Sequence, residues 1–402
     1  MAKGVFLVFP GYGHVNPTLP VVRELVRRGE EVIYYSTDEF KERIEETGAS
    51  FQNYGHDFPA VSFAGTVAES MYALLQCCQY VLDHHVSEVQ QVQADYIIFD
   101  SLALWGKCIA QLLKLPAMGS VPGIVMTFRL ALSTPEMMLS GLKVFLGERA
   151  RMKEVTTLAS HICETYHLEK IDPFDVFTSY GEVNIVYTSK LFHPYAAALD
   201  QNKFKFVGAT LTPHAQNTPF PFEKLKQEQM IYISLGTLFN QQANLYRTCL
   251  EAFADKNIGV IMSIGKQTEK EQLGKIPENV IVEQFVPQID ILQRTSVFIT
   301  HGGMNSVSEA LYYHVPLLVL PRGADQFLIG KRVSQVGAGK VLAKDHVRAD
   351  ILYHSVQEIL HDARYTQAAK IIGESLCDAG GYEKAADEIQ AFKMLHHLGR
   401  KD

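Results

Sequence analysis

The sequence predicts an α/β protein built from two doubly wound, Rossmann-like domains. Short β-rich runs alternate with segments of helical spacing throughout the 402 residues, a pattern typical of parallel sheets with crossover helices. Residues 208–229 are rich in proline and polar side chains and are the best candidate for a domain linker. The candidate strands are 5–9, 32–36, 96–100 and 184–188 before this linker, and 231–235, 260–264, 280–285, 297–300 and 317–320 after it.

The predicted domain boundaries follow from this linker. One domain covers residues 1–208, the linker 209–229, a second domain 230–380, and a last helix 381–402. The last helix is expected to pack on one of the domains, and packing back on the N-terminal domain is one of the two options. The apolar positions of its helical spacing are Ala385, Ile389, Phe392 and Leu395.

The composition excludes several classes of protein. With 47% hydrophobic and 20% charged residues, the chain can bury a full core. The net charge is −7 and no basic run is longer than the Arg27-Arg28 pair, so nucleic acid is not an expected partner. Six scattered cysteines without a CxxC pair indicate reduced thiols, and the N-terminus lacks the pattern of a signal peptide. No stretch approaches the roughly 18 apolar residues of a membrane span, so a cytoplasmic protein without stable membrane insertion is expected.

Residues 297–326, VFITHGGMNSVSEALYYHVPLLVLPRGADQ, have the layout of a half-site for a nucleotide diphosphate sugar. An apolar strand ends at His301, two glycines form a tight turn, and small polar residues open an amphipathic helix. Main-chain N–H groups at a helix start hold phosphate without a metal, and polar side chains add hydrogen bonds. Glu309, further into the helix, suits a ribose diol, while Asp325 and Gln326 suit sugar hydroxyls.

A second glycine turn, GYGH at residues 11–14, follows the first predicted strand. The dinucleotide fingerprint requires glycine at position 16, where Asn16 stands, so a nicotinamide or flavin site is disfavoured. His14 falls at the carboxyl end of a strand, and histidine is the side chain best suited to remove a proton from a hydroxyl near neutral pH. Asp100 ends another predicted strand, and if the two strands are neighbours its carboxylate can orient the imidazole. The alternative is that His14 makes only local hydrogen bonds and Asp100 caps the next helix.

Taken in their order, these residues resemble those of UDP-dependent glycosyltransferases of the GT-B fold, a family that includes bacterial macrolide and flavonoid glycosyltransferases and plant natural-product glycosyltransferases. The resemblance covers nearly the full length. It implies two Rossmann-like domains that face each other across a cleft, the N-terminal one binding the acceptor and the C-terminal one the nucleotide sugar. His14 then matches the family's catalytic base, and Asp100 matches its acidic partner.

The family's donor signature corresponds to residues of the C-terminal half. The resemblance implies an aromatic ring over the uracil, a glycine loop facing the phosphates, a histidine with two small polar residues on the phosphates, and a glutamate on the ribose. Plant members carry tryptophan at two of the positions, where this chain has phenylalanine and methionine, so the face offered to the base is smaller. The implied donor-binding residues are Gly236, Thr237, Phe285, Val286, Gln288, His301, Gly303, Met304, Asn305, Ser306, Glu309, Asp325 and Gln326.

In this family the acceptor binds to N-terminal segments that follow strands, and this chain carries aromatic, leucine and methionine side chains there. Methionine surfaces re-pack around diverse ligands, which suggests broad acceptor tolerance. Ordinary core packing is the alternative for each of these side chains. The candidate acceptor-binding residues are Phe58, Phe63, Met71, Leu74, Met126, Phe128, Met137 and Met138.

The resemblance implies an inverting transfer of a sugar, glucose by preference, from a UDP-sugar to a hydroxyl of a small hydrophobic acceptor such as a flavonoid or a macrolide. His14 takes the acceptor proton, and UDP leaves against a helix N-terminus. The UDP-sugar is a co-substrate, and neither a cofactor nor a metal is expected. The adjacent pairs His84-His85 and His396-His397 point apart on a helix, which indicates solvated surface rather than a metal site.

Two other classes of protein remain as alternatives. A GT-B enzyme of the UDP-N-acetylglucosamine epimerase kind would use carboxylates near the anomeric centre, which the GYGH turn fits poorly. A non-catalytic nucleotide-sugar-binding protein would need no base at residue 14.

Overall fold

The computed structural model describes two compact units of the chain. Described are residues 2–398, apart from residues 64, 128–137, 139–145, 213–219, 237–242 and 324. The first unit comprises Met1–Tyr187, Tyr195–Thr210 and Gly380–Asp402, and the second comprises Thr188–Pro194 and Leu211–Ala379. The last helix is thus part of the first unit, and the first two residues of the predicted linker belong to that unit as well.

The first unit holds a parallel sheet with helices on both faces. Its strands are β1 (Lys3–Leu7), β2 (Glu31–Ser36), β3 (Ser50–Asn53), β4 (Tyr96–Asp100), β5 (Ala117–Val121), β6 (Val183–Val186) and β7 (Phe204–Phe206). Its described α-helices are α1 (Tyr12–Val15), α2 (Leu19–Arg27), α3 (Lys41–Glu45), α4 (Val67–Val92), α5 (Leu104–Leu113), α6 (Arg149–Tyr166) and, at the end of the chain, α13 (Gly381–Leu395). Among the described residues the strand order is β3-β2-β1-β4-β5-β6-β7, so the winding reverses between β1 and β4.

The alternation of side chains along β1 explains why helices cover both faces of this sheet. Val5 and Leu7 belong to one apolar cluster together with residues of α4 and α5, whereas Phe6 belongs to a second cluster with residues of α2 and α13. Successive residues of a strand point to opposite faces. Because both faces are buried, β1 continues after Lys3 as an apolar run.

The second unit repeats this plan. Its strands are β8 (Met230–Ser234), β9 (Gly259–Ser263), β10 (Val280–Glu283), β11 (Val297–Thr300), β12 (Leu317–Val319) and β13 (Gly339–Val341). Its described α-helices are α7 (Ala243–Phe253), α8 (Gln288–Leu292), α9 (Met304–Tyr312), α10 (Gln326–Gln335), α11 (Ala349–His361) and α12 (Ala363–Asp378). In the part of the chain that is described, the order β10-β9-β8-β11-β12-β13 reverses the winding between β8 and β11.

Two doubly wound α/β sheets confirm the predicted fold class. The sequence pattern does not predict β3, β5, β7 and β13. Strands β3, β7 and β13 are short, β5 contains Gly119, and β13 begins at Gly339, and glycine has low β-propensity. Pairing with a neighbouring strand therefore forms them, rather than local preference. Single turns of 3-10 helix lie at Asp38–Phe40, Pro173–Val176, Ala196–Ala198, Phe222–Lys224, Lys270–Leu273 and Lys344–His346.

Helix α13 packs against α2 through one apolar stripe, which ion pairs flank. Arg28 donates to Asp387 at 2.7 Å, and Lys393 pairs with the buried carboxylate of Glu30. Leu395, expected at an apolar position, is 65% exposed, because α13 ends at this residue. The buried residues of the stripe are Ala385, Ala386, Ile389 and Phe392.

None of the described helices is long and apolar enough to cross a membrane.

Replacing Phe392 by Ala is expected to lower the free energy of unfolding by about 3–5 kcal/mol, because the loss of a buried ring leaves a cavity under α13. Phe392 is 2% exposed, whereas Met394 on the same helix is 71% exposed. The matched control Met394→Ala should change the free energy by less than about 0.5 kcal/mol. Urea unfolding of the two variants makes the comparison, and equal effects would show that the apolar stripe does not hold the helix.

Candidate functional site

The candidate residues of both units lie just beyond the carboxyl ends of strands. In the first unit, His14 follows β1 and Asp100 ends β4, which pairs with β1. In the second unit, His301 follows β11, which pairs with β8. Each pair of strands is the point where the winding of its sheet reverses. Open α/β sheets bind their ligands at this edge, beside the reversal.

The imidazole of His14 and the carboxylate of Asp100 are hydrogen-bonded, with 2.8 Å between Nδ1 and Oδ2. Asp100 is fully buried, and its other oxygen accepts the main-chain N–H of Leu102 at 2.8 Å, so the carboxylate is held in one orientation. A carboxylate only accepts, which places the proton of the neutral ring on Nδ1 and the lone pair on Nε2. The side chain of His14 is 22% exposed. This is the geometry of a general base with an orienting carboxylate.

Phe9 is a neighbour of His14 that the sequence pattern does not single out. Its ring lies edge-on to the imidazole, with 5.3 Å between ring centroids, and Phe63 lies 5.9 Å beyond it in the same manner. The structure therefore connects Phe63, a candidate acceptor residue, to the histidine through the ring of Phe9. Phe9 is buried at the end of an apolar run, where any core residue gives the same sequence signal.

Three further candidate acceptor residues are partly or largely exposed. Phe58 is half-buried and stacks on Tyr54, with 4.9 Å between ring centroids. Met126 is half-buried, and both its main-chain N–H and its carbonyl bond to the hydroxyl of Tyr180 at 2.9 Å. Met138 is 55% exposed.

The remaining candidates are not at an accessible surface or are not described. Met71 is 5% exposed and Leu74 is fully buried, and both pack into the core between α4 and the sheet. Their assignment to acceptor binding is corrected accordingly, because the inward face of α4 turns these side chains away from solvent. Phe128 and Met137 lie outside the described residues.

The ring of His301 is packed between two glycines. A Cβ at Gly236 or at Gly303 would lie 2.5 Å from a ring atom, so neither position has room for a side chain. Gly236 also has φ of +75°, a backbone conformation that glycine adopts at no steric cost. Burial lowers the pKa of His301 to about 4, although a hydrogen bond to the main chain of Ser234 opposes the shift. The ring is therefore neutral at pH 7. Thr237 lies outside the described residues.

Helix α9 begins directly after the turn that His301 opens. Gly302 has φ of +91°, and Gly303 is the N-cap, so no side chain caps the first turn of this helix. Main-chain N–H groups at the start of a helix can bind an anion. Met304 is buried, whereas Asn305 and Ser306 are half-buried. A ligand at this turn therefore meets the main chain of Met304 rather than its thioether.

Gln288 links Glu309 to the sheet. Its amide nitrogen donates to the Glu309 carboxylate, and its amide oxygen accepts the hydroxyl of Tyr232 at 2.8 Å. Tyr232 is buried and stacks on Phe298, with 4.6 Å between ring centroids, so the whole chain of bonds is anchored. This anchoring role of Tyr232 is not evident from the sequence, because a tyrosine within a strand is usually a core residue.

An exposed aromatic ring follows β10. Phe285 is 52% exposed and Val286 is half-buried, so both the ring and the next main-chain groups are accessible to a planar base. The ammonium group of Lys266 lies 5.8 Å from the centroid of the Phe285 ring. Aromatic rings exposed to this extent are a minority in a folded chain, and stacking on a ligand is one use for them.

The two expected sugar-contact residues differ in their surroundings. Asp325 is exposed, but Gln326 is buried. The side-chain oxygen of Gln326 accepts the main-chain N–H groups of Arg322 at 2.9 Å and of Gly323 at 3.3 Å. Because this oxygen is occupied, only the amide nitrogen can serve a sugar hydroxyl. Gln326 thus fixes the loop after β12 in addition to any contact with a sugar.

The side chain of Asn16, which stands where the dinucleotide fingerprint has glycine, is bonded to another side chain. Arg43 donates to its side-chain oxygen at 2.8 Å, and the same guanidinium lies 5.9 Å from the centroid of the Tyr12 ring. A side chain thus fills the position where the dinucleotide fingerprint needs a bare backbone.

Among the described residues, no group of three or more His, Cys, Asp and Glu side chains is placed to hold a metal ion. His84 is exposed, but the expectation of solvated surface is wrong for its neighbour His85, which is 7% exposed. The ring nitrogens of His85 meet the carboxylate of Glu88 at 2.8 Å and the carbonyl of Tyr54 at 2.9 Å. Helix α4 turns this histidine toward the aromatic side chains of the core, which is why it is buried.

Comparison with known proteins gives consistent likenesses. A family model described as "Erythromycin biosynthesis protein CIII-like, C-terminal domain" matches residues 247–387. The chain is 39% identical over 397 residues to the uncharacterized UDP-glucosyltransferase YojK of Bacillus subtilis (strain 168), covering 97% of each protein. It is 31% identical over 392 residues to the NDP-glycosyltransferase YjiC of Bacillus licheniformis, covering 95% of this chain and 96% of the relative. The crystal structure of the kitacinnamycin glycosyltransferase matches with a TM-score of 0.87 at 26% identity, covering 97% of this chain and 99% of that one.

The fold, the placement of both sites and these likenesses agree. The chain belongs to the GT-B glycosyltransferases of the macrolide and natural-product type. The resemblance inferred from the sequence motifs is thereby confirmed, and so is the GT-B assignment of the two sheets.

The stability of the second unit is expected to fall as the pH is lowered from about 6.5 to about 4. Burial lowers the pKa values of His301 and His193 from 6.5 to about 4, with the Arg332 guanidinium as a further cause for His193. Below pH 6.5 the unfolded chain therefore binds protons that the folded chain does not, and acid favours unfolding. Near pH 8 neither state is protonated at these rings, and the effect vanishes.

Urea unfolding at a series of pH values measures this dependence. The slope between pH 6.5 and 4 should be shallower in His301→Asn, whereas His161→Asn, a change at an exposed histidine, should keep the wild-type slope. An unchanged slope in His301→Asn would contradict the exclusion of a proton from the buried ring.

Proposed function

We propose that this chain is an inverting, metal-independent UDP-glycosyltransferase that moves a sugar, glucose by preference, to a hydroxyl of a small hydrophobic acceptor of the flavonoid or macrolide kind. The hydrogen bond of 2.8 Å between His14 and the buried Asp100 carries the proposal. An oriented base serves the activation of a hydroxyl, whereas nucleotide binding alone needs none. The names of the relatives, a UDP-glucosyltransferase and an NDP-glycosyltransferase, support a nucleotide-sugar donor.

The donor residues offer a separate partner to each part of a nucleoside diphosphate. The exposed ring of Phe285 offers a face for the base, and Glu309, oriented by Gln288, offers a carboxylate for the ribose diol. The uncapped first turn of α9 offers N–H groups and a partial positive charge of about half an electron for the phosphates. This sequence of contacts explains why donor binding needs no metal in the proposed mechanism.

The proposed reaction is a single displacement. The acceptor oxygen forms a bond to the anomeric carbon while the bond from that carbon to the β-phosphate oxygen breaks on the opposite side, which inverts the configuration. Nε2 of His14 takes the hydroxyl proton, and the Asp100 carboxylate stabilises the imidazolium. UDP departs with the bonding electrons, and the N–H groups of α9 stabilise its charge.

Apolar surroundings of the base favour an apolar acceptor. The ring of Phe9 lies edge-on to the imidazole of His14, and the ring of Phe63 lies edge-on to that of Phe9. Rings in this arrangement offer a flat aromatic or macrocyclic acceptor contact area without hydrogen bonds to satisfy. A pure binding protein would gain nothing from the orienting Asp100.

Replacing His14 by Ala is expected to lower the rate of glycoside formation by ~10² to 10⁴, because the general base is lost. The protein is incubated with UDP-glucose and a flavonol, and the glycoside is measured by mass. UDP binding should stay near wild type, since His14 belongs to the first unit and the donor residues to the second. The control is His56→Ala, whose histidine is 91% exposed and stands 3.9 Å from Asp38, so that an exposed His–Asp pair is compared with the buried one. Near wild-type turnover of His14→Ala would refute the assignment of the base, and no glycoside from the wild-type protein with any flavonol or macrolide would refute the proposed function.

Activity is expected to persist in excess EDTA, because the phosphate charge is answered by main-chain N–H groups rather than by a bound cation. The same glycoside assay is run after dialysis against EDTA, with and without added Mg²⁺. Modest stimulation by Mg²⁺ through screening is compatible with this mechanism. Complete loss of activity that Mg²⁺ restores would show that a metal takes part.

A further inference from the structure

Arg322 is a partly buried cation whose Nε lacks a hydrogen-bond partner in the part of the chain that the structure describes. This Nε atom is fully buried. Desolvation lowers the pKa of Arg322, which shows that burial disfavours its charge. Burying an unpaired charge destabilises a folded protein. Binding of an anion from solution would provide such a cation with a partner.

The loop that carries Arg322 lies directly beside the turn of His301. The strands β12 and β11 that precede them are paired, and the main-chain N–H of Leu320 donates to the carbonyl of Thr300 at 2.7 Å. A Cβ on Gly302 would lie 3.4 Å from the main-chain oxygen of Gln326, so the two loops are in contact. The side-chain oxygen of Gln326 in turn holds the main-chain N–H of Arg322. The position of the arginine relative to the turn is thus fixed by the sheet and by one glutamine.

The turn from His301 to the start of α9 carries no full positive charge of its own at pH 7. The ring of His301 is neutral at pH 7 because burial lowers its pKa to about 4. The start of α9 contributes only about half an elementary charge. A sugar nucleotide brings two phosphate charges to this turn, and Arg322 is permanently charged at the neighbouring loop.

We propose that Arg322 binds the β-phosphate of the donor diphosphate, an inference that rests on the proposed function. A guanidinium fork matches two phosphate oxygens in geometry, and charge-assisted hydrogen bonds of this kind are stronger than neutral ones. Binding replaces the missing partner of the cation, so the destabilisation that it causes in the free protein is relieved in the complex. Gln326 acts in this scheme as a positioning residue, through the main chain of Arg322.

The proposal is tested by calorimetry with UMP and with UDP, which differ by the β-phosphate. Arg322→Met should raise the dissociation constant of UDP by ~10- to 100-fold and change that of UMP by no more than about two-fold. Only UDP has the phosphate that reaches the guanidinium. Arg322→Lys should recover part of the loss. The matched control is Arg348→Met, since Arg348 is exposed and already paired with Asp350 at 2.6 Å. This control should bind both nucleotides as the wild type does.

Thermal unfolding of the free protein separates a ligand role from a structural one. If Arg322 awaits an anion, Arg322→Met removes an unpaired buried charge and its melting temperature is at least that of the wild type. A lower melting temperature together with equal weakening of UMP and UDP would assign the arginine to the fold and overturn the proposal. Unchanged UDP with selective loss of UDP-glucuronate would overturn it in favour of a sugar carboxylate.

The failure of this inference is distinguishable from that of the proposed function. If the wild-type protein binds UDP and Arg322→Met binds it equally well, the inference alone is wrong. If the wild-type protein binds neither UDP nor UDP-glucose, the donor assignment fails and the inference with it.

Discussion

The chemistry of this protein depends on the parallel pairing of strands that are not consecutive in the chain. In the first sheet β1 pairs with β4, and in the second sheet β8 pairs with β11. These pairings place the ends of distant strands side by side, so that His14 meets Asp100 and the Ser234–Gly236 loop meets His301. Helices on both faces bury the strands, which fixes the register because a slip would expose an apolar face to water.

Close packing at the phosphate turn has electrostatic consequences. Gly236 and Gly303 pack closely against the ring of His301, and its partial burial lowers the pKa of the imidazole. At neutral pH the imidazole of the turn is therefore uncharged, and the turn offers only the oriented dipoles of its main chain and side chains. Such a site is organised before the anion arrives and needs little rearrangement to receive it. The same burial disfavours the charged forms of His301 and Arg322, and so trades stability of the free protein for readiness to bind.

The sequence motifs predicted much of the site but not its supports. Glycines at 302 and 303, the histidine before them and the polar residues after them form a local pattern, because one turn and one helix start hold them together. Asp100 was predictable only on the condition that its strand lies beside β1. The supports are different in kind: Phe9, Tyr232 and Arg322 act through neighbours that are distant in sequence, and a phenylalanine or a tyrosine in a strand looks like any core residue. For the same reason the sequence does not show that Met71 and Leu74 are core residues, because their burial depends on which face of α4 packs inward.

By itself the sequence determined the doubly wound α/β class and located the two glycine turns that we propose carry the chemistry, because periodicity and glycine act over a few residues. Tertiary structure decided what depends on contacts between distant segments. It formed the short strands β5 and β13 by pairing, and it assigned α13 to the first unit through Arg28 and the apolar stripe. It also turned the oxygen of Gln326 onto its own loop and left the Nε of Arg322 without a hydrogen-bond partner among the described residues. Burial and hydrogen bonding at these positions are properties of the packed chain, and no local pattern of residues encodes them.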